Sequence, residues 1–211
     1  MRYFEVFPQI ALQDQNNNYM IYTNIMARVN LIPSLINNPS IYYQYNIQEG
    51  DRPDIIATKY YNNPYRYWIF LYGNNIIDPF WDLPLTDYNF NVYLNDKYGA
   101  SANANGQSVL AYTQTTPYQY QKVVTTTDST SGLTTQRIYN TDYNTYANLP
   151  VNVVSTNYFP DGSSVSVTTS RQIQTIFDYE LETNENKRLV NIIDKKYAQN
   201  MEQSLKSLMS N

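Results

Sequence analysis

Residues 62–85 read NNPYRYWIFLYGNNIIDPFWDLPL, a run crowded with aromatics and closed off by Asn, Asp and Pro at both ends. Pro64 suits a helix start, and Tyr65, Trp68, Ile69 and Tyr72 recur at the spacing of one helical stripe. The stretch therefore predicts a helix ended by Gly73-Asn74-Asn75. Asp78-Pro79-Phe80-Trp81-Asp82 carries turn chemistry instead. Trp68 and Tyr72 are expected in the seam of a packed unit. Phe80 and Trp81, beside Pro79 in a connection, are expected on an exposed contact surface.

Working outward, IYYQYNIQ from Ile41 alternates as a strand, and EGDRPDIIATKYY turns at Gly50 into a helix with Pro53, Ile56, Ala57 and Tyr60 on its buried face. Asp51 sits where an N-cap belongs, Pro53 is tolerated in the first turn, and Asp54 favours the positive helix end. Downstream, YNFNVYL alternates Phe90, Val92 and Leu94 as a closing strand. The order is strand, helix, helix, strand.

The flanking material differs. RYFEVF reads as a short strand ending at Pro8. Ile21, Ile25, Met26, Val29 and Ile32 fall at helical spacing before Pro33, while the β-branched content keeps a strand open, giving an ordered arm. SANANGQS at 101–108 reads as a loop or linker. KVVTTTDSTSGLTTQRIY and the run around Pro160-Asp161-Gly162 read as hairpins with Thr and Ser on the outward face. Leu189–Ile193 is a short strand leading into an amphipathic helix with Ile193, Tyr197, Met201, Leu205, Leu208 and Met209 on one stripe. That helix could close the chain's own core. Its Met content and terminal position favour docking on another subunit.

Composition narrows the chemistry. With no Cys and no His, disulfide frameworks, thiol nucleophiles, Ser-His-Asp triads and nearly all zinc sites are excluded. No cofactor or metal is expected. Lys plus Arg is 14 against 18 for Asp plus Glu and the pI is about 4.8, a field that repels nucleic acid. MRYFEVFPQI lacks the apolar core of a signal peptide, and no window reaches the ~18 apolar residues of a membrane span, so a soluble protein is expected. The 23 Tyr and 15% charged residues suit surfaces that end up buried against other proteins, and fit equally a compositional bias of the source genome.

Tyr45, Gly50, Asp51, Ile56, Ala57, Tyr60, Trp68, Asn74, Asp78 and Pro79 follow a pattern that resembles the LysM fold, spread over residues 42–94. The resemblance implies two helices on one face of a two-stranded antiparallel sheet. Many LysM domains bind N-acetylglucosamine polymers in the loops after the first strand and second helix. Here the family's Thr-Leu after Gly-Asp is Arg52-Pro53, and its Gly-x-x-Leu-x-Ile-Pro closure is missing, so the fold transfers but the sugar site does not.

Across most of the chain, NNPYRYWIFLYGNNIIDP and residues 184–211 above all, the sequence resembles the LysM-containing baseplate wedge subunit of T-even-type contractile-tailed bacteriophages. The segment from Ser101 to about Ile176 matches poorly. The resemblance implies an α+β protein: an N-terminal arm (1–41), a LysM-like βααβ unit (42–94), a β-rich polar insert (95–176) and a C-terminal strand-helix assembly segment (177–211). It also implies a virion component, made and assembled in the host cytoplasm, that joins the wedge late and holds neighbouring wedges together around the hub without catalysis. Its partners would be other wedge proteins and hub- or sheath-proximal tail proteins, in six or a multiple of six copies, with no nucleic acid or membrane. Contact candidates are Phe80, Trp81, Tyr197, Met201, Leu205 and Leu208.

Two other functions compete. A cell-wall glycan-binding module would need a shallow groove near residues 51–54 and 75–79, where Arg52-Pro53 changes the turn and removes a backbone donor. A glycoside hydrolase would need two of Glu49, Asp51, Asp54, Asp78 and Asp82 as acid and base, but each has a cap or turn role.

Overall fold

The computed structural model describes residues 2–27 and 38–209. Tyr3–Val6 is a 3-10 helix rather than the strand expected of RYFEVF. The Arg2 N–H donates to the Glu5 carboxylate, and Tyr3 packs edge-on against both Phe4 and Phe7. An extended chain would send the neighbouring Tyr3 and Phe4 rings to opposite faces. Strands β1 (Gln9–Gln13) and β2 (Tyr19–Thr23) then form an antiparallel hairpin where the sequence left helix and strand open at Ile21. The Asp14 carboxylate accepts from the Asn16 and Asn18 N–H groups at 2.8 Å, and Asn17 takes φ 63°. This turn chemistry and the β-branched content of β2 override the helical spacing. Val29, Ile32 and Pro33, assigned to the same arm, lie outside the described residues.

Strand β3 (Tyr42–Asn46) leads through the Gly50 turn into α1 (Pro53–Tyr61), with Pro53 in its first turn. Ile56 and Ala57 are fully buried, as expected. Tyr60 is not: it is 37% exposed, whereas Tyr61 is buried and donates its hydroxyl to the Ile193 carbonyl at 2.9 Å. The 3-10 turn Pro64–Arg66 precedes α2 (Tyr67–Gly73), which buries Trp68, Ile69 and Phe70 while Tyr65 stays exposed.

The next elements belong to a separate unit, Tyr88–Thr183. Helix α3 (Asp87–Ala104) replaces both the closing strand predicted at Phe90, Val92 and Leu94 and the first half of the 101–108 loop. The reason lies in burial. Phe90 and Leu94, four residues apart, are 6% and 2% exposed, while Val92 between them is 41% exposed, so the buried pair follows helical spacing. Helix α4 (Val109–Thr115) is capped by the Ser108 hydroxyl. Strands β4 (Pro117–Asp128) and β5 (Thr134–Thr141) form the first predicted hairpin, followed by helix α5 (Tyr143–Asn148). β6 (Asn152–Tyr158) and β7 (Ser164–Thr175) form the second, with Gly162 at φ 84° in its turn. The sheet is antiparallel in the order β5-β4-β7-β6. Helix α6 (Ile176–Glu185) follows. Its Glu180 carboxylate is buried and accepts from Lys97, Tyr98 and Tyr93 on α3.

The second part of the first unit, Asn184–Asn211, supplies β8 (Leu189–Ile193) and α7 (Lys195–Met209). β8 pairs antiparallel with β3, Tyr42 opposite Ile193 and Asn46 opposite Leu189. The strand that closes the βααβ arrangement therefore comes from the C-terminal segment and not from residues 90–94. The unit boundaries fall after Asp87 and Thr183, where sequence reading placed them after residues 94 and 176. α7 packs on the same core. Met201 and Leu205 are fully buried with Ile56, Ile69, Phe70 and Ile192, and Arg66 grips Glu202 in a two-bond ion pair at 2.9 and 3.0 Å. The expectation that the C-terminal strand-helix docks outside the chain's own core is overturned. Its apolar receiver was β3 with α1 and α2, not the polar hairpins before it.

The fold is mixed α+β, with 43% of the described residues helical and 30% in strands. Among the described residues, no helix is long and apolar enough to cross a membrane.

Candidate interaction surface

Residues of the sequence pattern meet around one small sheet. Tyr45 on β3 donates its hydroxyl to Asp51, which also accepts from the Gln48 N–H and from Lys59 Nζ. Asp51 thus locks the Gly50 turn to α1 and is not an N-cap. The cap position is Arg52, with no side-chain cap bond. Gly50 takes φ 81°, a left-handed conformation that glycine adopts without steric cost. Tyr60 lies edge-on to Tyr45, their centroids 5.5 Å apart. Asn74, at the end of α2, donates to and accepts from the Asn191 backbone of β8.

The connection after α2 is held by carboxylates. Asp82 accepts from the Ile77 and Asp78 N–H groups at 2.9 and 3.0 Å, and Asp78 accepts from the Phe80 N–H across Pro79. Lys187 Nζ donates to the Trp81 carbonyl at 2.6 Å. This hydrogen-bonded turn displays Ile77, Phe80 and Trp81 at 86%, 83% and 55% exposure. A cleft of about 360 Å³ opens beside Ile77, lined by Tyr3, Phe4, Tyr67, Trp68, Leu71, Tyr72 and Ile76. A second of about 550 Å³ adjoins it through Tyr3, Phe4 and Tyr67 and ends at Arg2, Glu5 and Tyr65. The Arg2 guanidinium lies 4.8 Å from the centre of the Tyr65 ring. The Trp68 indole N–H is buried without a hydrogen-bond partner. Large aromatic area with polar tips and little charge is the composition of a protein-binding surface.

Of the sequence-named contact residues, Phe80 and Trp81 are exposed as expected. Leu208 is 40% exposed and Tyr197 half-buried. Met201 and Leu205 are core residues and cannot be contacts. Tyr3, Phe4 and Ile77 were missed. The aromatic density of RYFEVF was the available signal for the first two.

The carboxylates that a glycosidase reading requires are engaged otherwise. Burial would raise the Asp51 carboxyl, but Lys59, Tyr45 and the Gln48 N–H outweigh it and hold it below the usual carboxylate range. Asp54 is held down by the Arg52 guanidinium, and Asp82 by the backbone N–H groups of Asp78 and Ile77. A general acid needs the opposite shift. Glu49 is an exposed partner of Arg188 at 4.0 Å. Among the described residues, no group of three or more Asp or Glu could hold a metal ion. Compared with protein-family models and with curated proteins, the chain gives no match.

Proposed function

We propose that this chain is a structural, protein-binding subunit of a contractile-tail baseplate wedge, built on a LysM-like unit whose second strand follows a long insertion. The observation that carries the reading is the hydrogen-bonded turn 77–82, which presents Ile77, Phe80 and Trp81 to solvent beside an aromatic cleft. Exposed apolar clusters of this kind mark association surfaces. The β3-α1-α2-β8 arrangement supports the LysM-like part: two helices accompany a two-stranded antiparallel sheet, and Asn74 ties the second helix to the closing strand. The glycan-binding alternative is disfavoured because the turn after β3 is filled by its own Tyr45–Asp51–Lys59 bonds, and because Pro53 removes a backbone donor.

The test is quantitative mass spectrometry of purified contractile-tailed particles from lysates of the chain's own source. The chain is expected in six or a multiple of six copies per tail. Its absence from particles with complete tails overturns the reading.

A further inference from the structure

The second unit holds four cations, Lys97, Lys122, Arg137 and Arg171. Lys97 is bound to Glu180 on α6. The other three fall on one face of the sheet: Lys122 on β4 lies directly opposite Arg171 on β7, and Arg137 on β5 is opposite Val124, two residues along β4 from Lys122. Residues two apart share a face, so the cations form a stripe across three neighbouring strands, about 10 Å wide. Among the described residues no carboxylate pairs with any of the three, and Lys122 and Arg137 make no hydrogen bond at all. Arg171 Nη1 donates to the Ala147 carbonyl at 3.1 Å, and its guanidinium lies 5.2 Å from the centre of the Tyr146 ring, contacts that orient its charge without cancelling it. The acids at the ends of β4 and β5 are engaged in their own turns: Asp128 accepts from the Thr130 N–H, and Asp142 from the Thr145 N–H and hydroxyl. Like charges directly opposite one another destabilise a sheet, so the stripe is a strained place that negative charge would relieve.

We propose that this stripe docks an acidic segment of a partner protein, whose Asp or Glu carboxylates sit between Lys122, Arg137 and Arg171. Charge complementarity selects the occupant. β4 is paired on both sides, so its main-chain N–H groups are spent within the sheet and the stripe offers no backbone cradle for a phosphate. Its donors are side chains standing on a pleated surface. The diagonal from Arg137 to Lys122 is about 7–8 Å, close to the roughly 7 Å between alternate side chains of an extended acidic segment. A nucleic acid fits poorly, because three cations neutralise few phosphates and the net charge of −4 opposes a long polyanion. A short segment feels chiefly the charges within a Debye length, about 8 Å at physiological salt. Arg137 and Tyr139 are exposed, which leaves the stripe open to solvent. The contact is made by residues of the second unit alone and does not rest on the baseplate reading.

The experiment is fluorescence anisotropy of labelled hexaglutamate titrated with the full chain, beside labelled hexaglutamine, a labelled single-stranded oligonucleotide, and inorganic phosphate as a competitor. Saturable binding of hexaglutamate that weakens as salt rises is expected, with none of hexaglutamine. Lys122→Gln and Arg137→Gln each weaken it roughly threefold or more, and Arg137→Glu weakens it further. Lys195→Gln and Lys206→Gln, at exposed cations of the first unit, leave it unchanged. Because Lys122 faces Arg171, Lys122→Gln keeps or raises the melting temperature while it weakens the peptide, a combination that damage to the fold does not give. Absence of saturable binding, binding that hexaglutamine shares, indifference to the stripe variants, equal weakening by the Lys195 and Lys206 variants, a lowered melting temperature for Lys122→Gln, or tighter binding of phosphate or the oligonucleotide would each overturn the proposal.

Discussion

The Asn74 carboxamide spans the main chain of Asn191: its Oδ1 accepts the Asn191 N–H and its Nδ2 donates to the Asn191 carbonyl, both at 2.7 Å. One side chain thereby continues the hydrogen bonding of β8 and fixes the end of α2 against it. Asn74→Ala should cost about 1–2 kcal/mol, since water replaces the lost partners at this exposed edge. Asn74→Asp, which keeps the acceptor and loses the donor, should also destabilise, and urea unfolding of both variants measures the pair.

Helix α7 should be indispensable to folding. Met201→Ala or Leu205→Ala removes a fully buried side chain and should cost about 2–5 kcal/mol. A chain ending at Lys187 loses both β8 and α7, and β3 loses its only strand partner among the described residues. Circular dichroism and thermal melting of the truncated chain should show the first unit unfolded. A truncated chain with that unit intact would contradict the placement of α7 in the core.

The two tryptophans should separate cleanly. Trp68→Ala should cost about 3–5 kcal/mol, as large-to-small core changes do. Trp81→Ala, at an exposed turn, should fall within about 0.5 kcal/mol of the original chain. The Phe80→Ala/Trp81→Ala double variant should remain folded and lose co-purification with the wedge proteins proposed as its partners. Equal melting temperatures for the two single variants would remove the distinction between core and surface.

Stability of the second unit should fall at both pH extremes. Burial alone would raise Glu180, but Lys97, Tyr98 and Tyr93 outweigh it and its carboxyl is lowered below the ordinary 4.5. A lowered carboxyl contributes stability above its unfolded value, and that contribution is lost as pH falls through the folded one. Tyr98 runs the other way: burial and the Glu180 bond push it from 10.0 to about 12. Its contribution is complete below 10.0 and is lost as pH climbs toward about 12. Urea titrations at several pH values should show Glu180→Gln flattening the acid side of the profile.

Glycans should not bind. Isothermal titration with chitin oligomers and peptidoglycan fragments should give no saturable heat at millimolar ligand. Binding tighter than that would favour a cell-wall module over an assembly subunit.

The helices of the first unit were legible because Ile56, Ala57, Trp68 and Ile69 repeat at helical spacing and Pro53, Pro64 and Asn74 punctuate their ends. The hairpins around residues 129–133 and 159–163 were legible from turn residues. The closing strand was not. Phe90, Val92 and Leu94 satisfy a strand's alternation, while Phe90 and Leu94 alone satisfy a helix, and short runs cannot separate the two. With residues 90–94 taken as that strand, α7 had no visible receiver, so its buried stripe read as a docking face. The exposed half of the surface came through at Phe80 and Trp81, because a Pro-flanked turn seldom buries large rings. Its other wall did not, since Tyr3, with Phe4 packed against it, meets Trp68 only through tertiary packing.

Synthesis from the N-terminus gives the split sheet a timetable. Tyr43 and Asp194, which bond across it, are 151 residues apart. When β3, α1 and α2 leave the ribosome their strand partner does not yet exist, and Ile56, Ile69 and Phe70 wait without a lid. The whole second unit, an uninterrupted stretch of chain, is complete before β8 and α7 emerge. Of the two units, the one that begins first is therefore the later to finish, and its sticky half-core waits unprotected while the other is synthesised, an interval in which a nascent chain is prone to wrong associations.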